Sequence, residues 1–181
     1  ALNLQNLAHY LPLGGESSIH LWNDAAPARL PSWAKGIALP QTLVFHGEQL
    51  FDPALASVGL TSATTQVRDW TLAVSAPERA IMEVLSLVDE TSSSFTHAAE
   101  LFEGLPALRP ALVQRLLADC RSIKVKRLFL FLATHQGEPW SSKLDVAHID
   151  IGSGKRMVTR GGRLDARFLI TVPESLSAGR K

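Results

Sequence analysis

Between residues 75 and 135 the apolar positions recur at helical spacing. Ile81, Val84, Leu85 and Val88 fall at i, i+3, i+4 and i+7, and Met82 and Leu87 widen the stripe. This predicts a largely buried helix over 76–88. Ser75-Ala76-Pro77-Glu78 has the spacing of a capping box, with the Ser75 hydroxyl and the Glu78 carboxylate each set to take a backbone N–H. Pro77 sits in the first turn, where a missing N–H costs nothing. After the polar break Asp89–Ser94, Ser94 is placed to cap a second helix through about Glu103, stopped by Gly104. Arg109-Pro110 opens a third helix over 110–120, with Leu112, Val113, Leu116, Leu117 and Cys120 on its apolar side. Ser122–His135 fits two patterns. Ile123-Lys124-Val125-Lys126 alternates like a strand, while Ile123, Arg127/Leu128, Phe131/Leu132 and His135 follow a helix. A length of about 14 residues and the terminating Gly137 select a helix over 122–135.

The flanks read as strands. Ser17–Trp22, Thr42–His46 and Gln66–Val74 are strand candidates, the last through Val67, Trp70, Leu72 and Val74. Residues 2–11 suggest a short helix stopped by Pro12 and Gly14-Gly15, and 30–36 a helical turn. Residues 52–65 read as a long connection with a helical turn at 53–57. After Pro139-Trp140 a polar link runs to Ile149. Lys155–Thr159, a Gly161-Gly162 turn and Arg167–Val172 make a hairpin candidate. The predicted class is α+β (or α/β): a mixed β-sheet of about five strands packed with four main helices, 76–88, 95–103, 110–120 and 122–135. The domain spans 1–173, and 174–181 reads as a flexible tail.

Composition narrows the class. With 46% hydrophobic and 19% charged residues the chain is globular. Its longest apolar run, Leu128–Ala133, is far short of the ~20 residues of a bilayer span. The opening residues lack the basic and long apolar regions of a signal peptide. They also lack an initiator Met and begin within an apolar-periodic stretch, Leu4, Leu7 and Leu11, so the chain is read as starting inside a longer gene product. A single Cys120 makes no internal disulfide, which fits a cytoplasmic protein. The net charge of +1 hides an asymmetry: residues 1–108 carry 4 basic and 11 acidic side chains, and 109–181 carry 14 basic and 6 acidic. The second half therefore reads as facing an acidic or polyanionic partner, unless the two halves neutralise each other.

Catalytic patterns are weak. Gly152-Ser153-Gly154-Lys155 lacks the phosphate-loop spacing, since Ile149 stands where the first glycine belongs and Arg156 where a hydroxyl belongs. Asp145 and Asp150 have no third carboxylate nearby, and the histidines show no ligand spacing. Cys120 lies in an apolar stripe and reads as an inert core thiol. Glu78 reads as a cap. No catalytic residue, metal or cofactor is assigned. The basic clusters remain. Arg121, Lys124, Lys126 and Arg127 lie within seven residues, and Arg121, Lys124 and Arg127 share one helical flank. Lys155, Arg156, Arg160, Arg163 and Arg167 decorate the hairpin. Packed side by side, helix and hairpin would place nine cations on one surface for phosphate contacts. The alternative is a solvated helix flank plus edge-strand charges that block aggregation.

The segments SAPERAIMEVLSLV, LFEGLPALRPALVQRLLADCRSIKVKRLFLFLA, HQGEPW and GGRLDARFLITVP, in this order, resemble the C-terminal domain of the AbiE-type antitoxin family, as ALNLQNLAHYLPLG resembles its start. The resemblance covers roughly residues 1–173. It implies a non-enzymatic bacterial, cytoplasmic transcriptional regulator of a type IV toxin–antitoxin system. Its partners would be operator DNA, read with an N-terminal winged helix-turn-helix absent from this chain, and a cognate nucleotidyltransferase-like toxin, met directly or through shared RNA. Apart from the resemblance, no membrane partner is expected, and a homodimer stays open. Two other readings stand beside the resemblance. One is a nuclease- or nucleotidyltransferase-like enzyme using Asp145, Asp150 and Lys155. The other is an interaction module in which the acidic half of one copy meets the basic half of another.

Overall fold

The structure, a computed structural model, describes residues 1–5, 7, 18–23, 32, 40–47, 49–64, 69–105 and 107–177. The class is α+β, as expected. Four helices, α1 (Pro77–Leu87), α2 (Ser92–Glu103), α3 (Pro110–Asp119) and α4 (Ile123–His135), enclose the core. Every residue of α4 from Val125 to Ala133 is buried, so the ambiguous segment is a central helix. Phe102 meets Phe129 edge-on, Trp140 leans on both, and Phe95 meets Phe131 edge-on. Trp140 comes from a 3-10 turn, Pro139–Lys143, that runs into what the sequence presented as a polar link. One helical turn, α5 (Glu174–Ser177), sets Leu176 against the core.

The expected mixed sheet is not formed among the described residues. The strands make three separate pairs instead. β1 (Ser18–Trp22) runs parallel to β2 (Thr42–His46). β3 (Leu60–Thr64) pairs antiparallel with β4 (Thr71–Ser75), and β5 (Arg163–Asp165) with β6 (Ile170–Val172). β3 lies inside the stretch read as a connection. Leu-Thr-Ser-Ala-Thr carries no apolar alternation, and its strand character comes from pairing with β4. Trp70, read as a strand position, precedes β4 and is 60% exposed. The N-terminal segment holds a 3-10 turn, Asn3–Gln5, where a helix was expected. Residues 6 and 8–11 of that helix, 30–31 and 33–36 of the expected turn, 66–68 of the third strand candidate and 178–181 lie outside the described residues.

The capping box does not form. Ser75 is still in the ladder, paired with Leu60, so the helix cap falls on Ala76. The Ser75 hydroxyl donates to the Glu83 carboxylate at 2.8 Å instead, and Arg79 Nε donates to Glu83 at 3.0 Å. Arg79 Nη1 reaches the carbonyls of Ala56 and Val58. Glu78 turns away to the start of α3. There the Arg109 amide and Nε donate to Oε1 and Nη2 to Oε2, each at 2.9 Å. At α2 the cap is Thr91 rather than Ser94. The Thr91 hydroxyl accepts Ser94 N–H, and the Ser94 hydroxyl accepts Asp89 N–H.

Two predictions follow from this packing. A Cβ at Gly162 would lie 2.5 Å from the Val172 carbonyl oxygen, whereas at Gly137 (φ +69°) it meets open space. Gly162→Ala should cost about 2 kcal/mol through overpacking, a Tm drop of roughly 4–8 °C. Gly137→Ala should cost about 1 kcal/mol, the ordinary left-handed penalty; calorimetry giving the reverse order contradicts the packing. Burial pushes the Glu78 carboxyl up, but the Arg109 hydrogen bonds outweigh it and hold the carboxyl below its ordinary 4.5. The resulting stability is full above that value and is lost as pH falls through the lower, folded value. Glu78→Gln should flatten the urea-stability profile between about pH 5 and pH 3; an unchanged profile refutes the pairing.

Candidate nucleic-acid interface

The cations predicted to make one surface divide into two groups with different roles. The first belongs to the start of α4. Positive charge there opposes the helix dipole, and the side chains lead away to acceptors on other elements. Arg121 donates to Gln49 Oε1 at 2.8 Å and to Asp52 Oδ2 at 3.2 Å. Lys124 Nζ donates to the carbonyls of Ser86 and Val88, at 2.7 and 2.9 Å, and so closes the C-terminus of α1. Lys126 is buried. Arg127 is 1% exposed. Its Nε donates to the Ile151 carbonyl at 2.6 Å, and Nη1 to those of Gly154 and Leu169 at 2.7 and 3.3 Å. Lys124, Lys126 and Arg127 are therefore not part of an open face, and the expected merger of α4 with the hairpin does not occur. Helical spacing applies to Lys124 and Arg127 but not to Arg121, which precedes the Ser122 cap of α4. It could not show that packed loops and helix ends occupy their flank.

The second group lies on the segment that Arg127 holds. Lys155–Thr159 is not a strand, which corrects the expected hairpin. The hairpin proper is β5–β6, and residue 156 adds a single bridge along the other side of β6. Arg156 N–H donates to the Leu169 carbonyl, and Thr171 N–H to that of Arg156. The Thr171 hydroxyl accepts the amides of Val158 and Thr159 and donates to the Thr159 carbonyl, at 2.8–2.9 Å. Asp165 Oδ1 closes the β5–β6 turn by accepting Phe168 N–H. Lys155, Arg156, Arg160, Arg163 and Arg167 are all exposed on this ribbon. Arg160 is ion-paired to Glu90. Among the described residues the other four have no ion-pair partner. Lane spacing puts Arg156 and β5 about 10 Å apart, on either side of β6. Arg167 lies along the Phe168 ring, 5.0 Å from its centroid. It borders a cleft of about 190 Å³ that Thr134, Ser141 and Ser142 also line.

The residues of the catalytic alternative are engaged separately. Asp145 Oδ2 pairs with His148 at 2.6 Å, and Asp150 Oδ1 accepts Gly152 N–H at 2.8 Å. Among the described residues no group of three His, Cys, Asp or Glu side chains is placed to hold a metal. Burial pushes the Cys120 thiol up, which keeps it protonated as a core group. Between β1 and β2, His20 Nδ1 and His46 Nε2 lie 2.8 Å apart with ring planes 5° apart and centroids at 5.1 Å. Those values describe an in-plane N–H···N bond, edge to edge, in which one ring donates. Sequence reasoning missed the Glu78–Arg109 fork and the Ser75–Glu83–Arg79 triad. The i, i+4 spacing of Arg79 and Glu83 was the one available signal, and it falls on a face that the helical stripe did not mark as buried.

A family model described as "Transcriptional regulator, AbiEi antitoxin, Type IV TA system" matches residues 16–173. No curated protein matches the chain significantly.

The two cation groups should respond differently to mutation. Arg127→Lys loses the fork and leaves carbonyls without donors, a cost of about 2–3 kcal/mol. Lys155→Gln should stay within about 0.5 kcal/mol of the parent. Urea unfolding of both variants checks this, and equal effects would contradict the assignment.

Proposed function

Because the chain belongs to the AbiEi antitoxin family of type IV toxin–antitoxin transcriptional regulators, we propose that it is a non-enzymatic regulatory domain whose 155–167 ribbon contacts the DNA backbone. The observation that carries this reading is the gathering of Lys155, Arg156, Arg163 and Arg167, exposed and without ion-pair partners among the described residues, on a ribbon fixed from beneath by Arg127. A phosphate-binding surface needs cations that are both free and held in place. This segment supplies both, and α4 does not. Such contacts fix position and orientation without reading bases. Operator choice then belongs to a sequence-reading domain such as the winged helix of the family, and this domain adds affinity and register. In the same reading the protein is cytoplasmic. It counteracts its nucleotidyltransferase-like toxin through this surface, directly or by occupying RNA the toxin needs.

The test is duplex-DNA binding by the chain over a salt series. Each phosphate contact contributes about 0.9 to the slope of log K against log salt. Lys155→Glu, Arg156→Glu and Arg163→Glu together should lower affinity and reduce the slope by roughly 2–3, equally on unrelated sequences. Lys124→Gln should leave the slope unchanged while lowering stability. A triple variant with the parental slope removes the ribbon from the interface.

A further inference from the structure

The turn that carries Arg167 borders the cleft of about 190 Å³ between the end of α4, the 141–146 segment and Phe168. Leu130, Ala133 and Leu144 make its apolar side. Its polar side is hydroxyl, from Thr134, Ser141 and Ser142. The Ser142 hydroxyl donates to the Pro139 carbonyl at 2.8 Å and keeps its acceptor capacity. Among the described residues the Thr134 and Ser141 hydroxyls have no partner, so each can donate and accept. Phe168 is buried and Arg167 exposed, with the guanidinium carbon 5.0 Å from the ring centroid. The ring steadies one face of the guanidinium, and the rest of the group is open to solvent at the rim of the cleft.

Contacts to a phosphate backbone need no recess, because the phosphates are met on an open surface. This recess combines what a nucleobase requires: an apolar wall for a flat ring and hydroxyls for its hydrogen-bonding edge. A guanidinium plane backed by an aromatic ring adds a surface on which a base can stack. Size and electrostatics orient the occupant. At about 190 Å³ the cleft is smaller than the ~300–1,000 Å³ of a pocket for a drug-sized ligand, so it takes one base rather than a whole nucleotide. Thr134 lies in the last turn of α4, at the negative end of the helix dipole. That end disfavours a phosphate inside the cleft, and an acidic protein side chain equally. The phosphate therefore stays at the rim on Arg167, on the same hairpin as Arg163 of β5. A single strand can offer an unstacked base without breaking a pair, whereas a duplex must first unpair it.

On the reading that the 155–167 ribbon holds nucleic-acid phosphates, we infer that this cleft takes one unstacked base of a single strand, with that nucleotide's phosphate on Arg167. Fluorescence anisotropy of the 181-residue chain tests it. The probes are short single strands of RNA and of DNA, the same DNA strand made abasic, and duplex DNA. Base-bearing strands should bind about tenfold tighter than the abasic strand, the scale of one stacked base. The tighter of the RNA and DNA strands names the source of the base. Thr134→Leu fills the cleft, and Arg167→Lys keeps the charge but loses the plane. Both positions are exposed, and circular dichroism checks the fold. Each variant should lower the ratio of base-bearing to abasic affinity by about threefold or more. An abasic strand bound as tightly as a base-bearing one overturns the inference, as does the parental ratio in both variants. So does a polyglutamate peptide that displaces the strand from the parent but not from Thr134→Leu, which would give the cleft to an acidic protein. The ribbon reading fails by a different result, duplex binding that keeps its salt slope when the ribbon cations are reversed.

Discussion

The buried Arg127 guanidinium ties the basic segment to the helical core. It lies inside α4, among residues with almost no exposure, and its charge is met by the carbonyls of Ile151, Gly154 and Leu169. Carbonyl dipoles are weaker counter-partners than a carboxylate, so the site depends on all of them being held in place. Leu169 sits at φ +55°, unusual for a residue with a side chain. Its carbonyl serves both Arg127 and the Arg156 amide. The turn that carries Arg167, the lane that carries Arg156 and the helix that carries Arg127 therefore share one acceptor. Loosening any one of them loosens the others.

The charge split between the two halves is partly consumed inside the fold. Arg109 pairs with Glu78, Arg121 with Asp52 and Arg160 with Glu90, each joining a second-half cation to a first-half carboxylate. Lys124 closes the end of α1 through the Ser86 and Val88 carbonyls. The exposed pairs add little stability. The Glu78 fork, which reaches a nearly buried carboxylate, adds more. What the internal pairings leave over is concentrated on the 155–167 ribbon. The halves therefore neutralise each other in part, and an exposed positive remainder stays on the 155–167 ribbon.

Much of the fold was legible because α1, α3 and α4 carry strong periodicity and clear stops, Gly137 among them. The strand pairing was not. Leu60–Thr64 has no apolar alternation, and a strand defined by its partner leaves no mark in its own residues. The capping box at Ser75 failed because the strand ladder extends one residue further than local spacing shows. The basic cluster at 121–127 was legible as a cluster, but not as the inside of the protein. A long cationic side chain on a helix flank reads the same whether it ends in water or on a backbone carbonyl. The exposure of Lys155, Arg156, Arg160, Arg163 and Arg167 was legible because glycine-rich turn chemistry and dense charge both mark a surface segment.

The central claim is that, among the described residues, the basic face is the 155–167 ribbon, while Lys124, Lys126 and Arg127 are held within the fold. Lysine acetylation rates, measured by mass spectrometry with and without duplex DNA, test it most directly. Lys155 and the exposed Lys143 should react quickly, Lys155 should be protected by DNA, and Lys124 and Lys126 should react slowly in both conditions. Lys124 and Lys126 reacting as fast as Lys155, or gaining DNA protection while Lys155 gains none, would contradict the account.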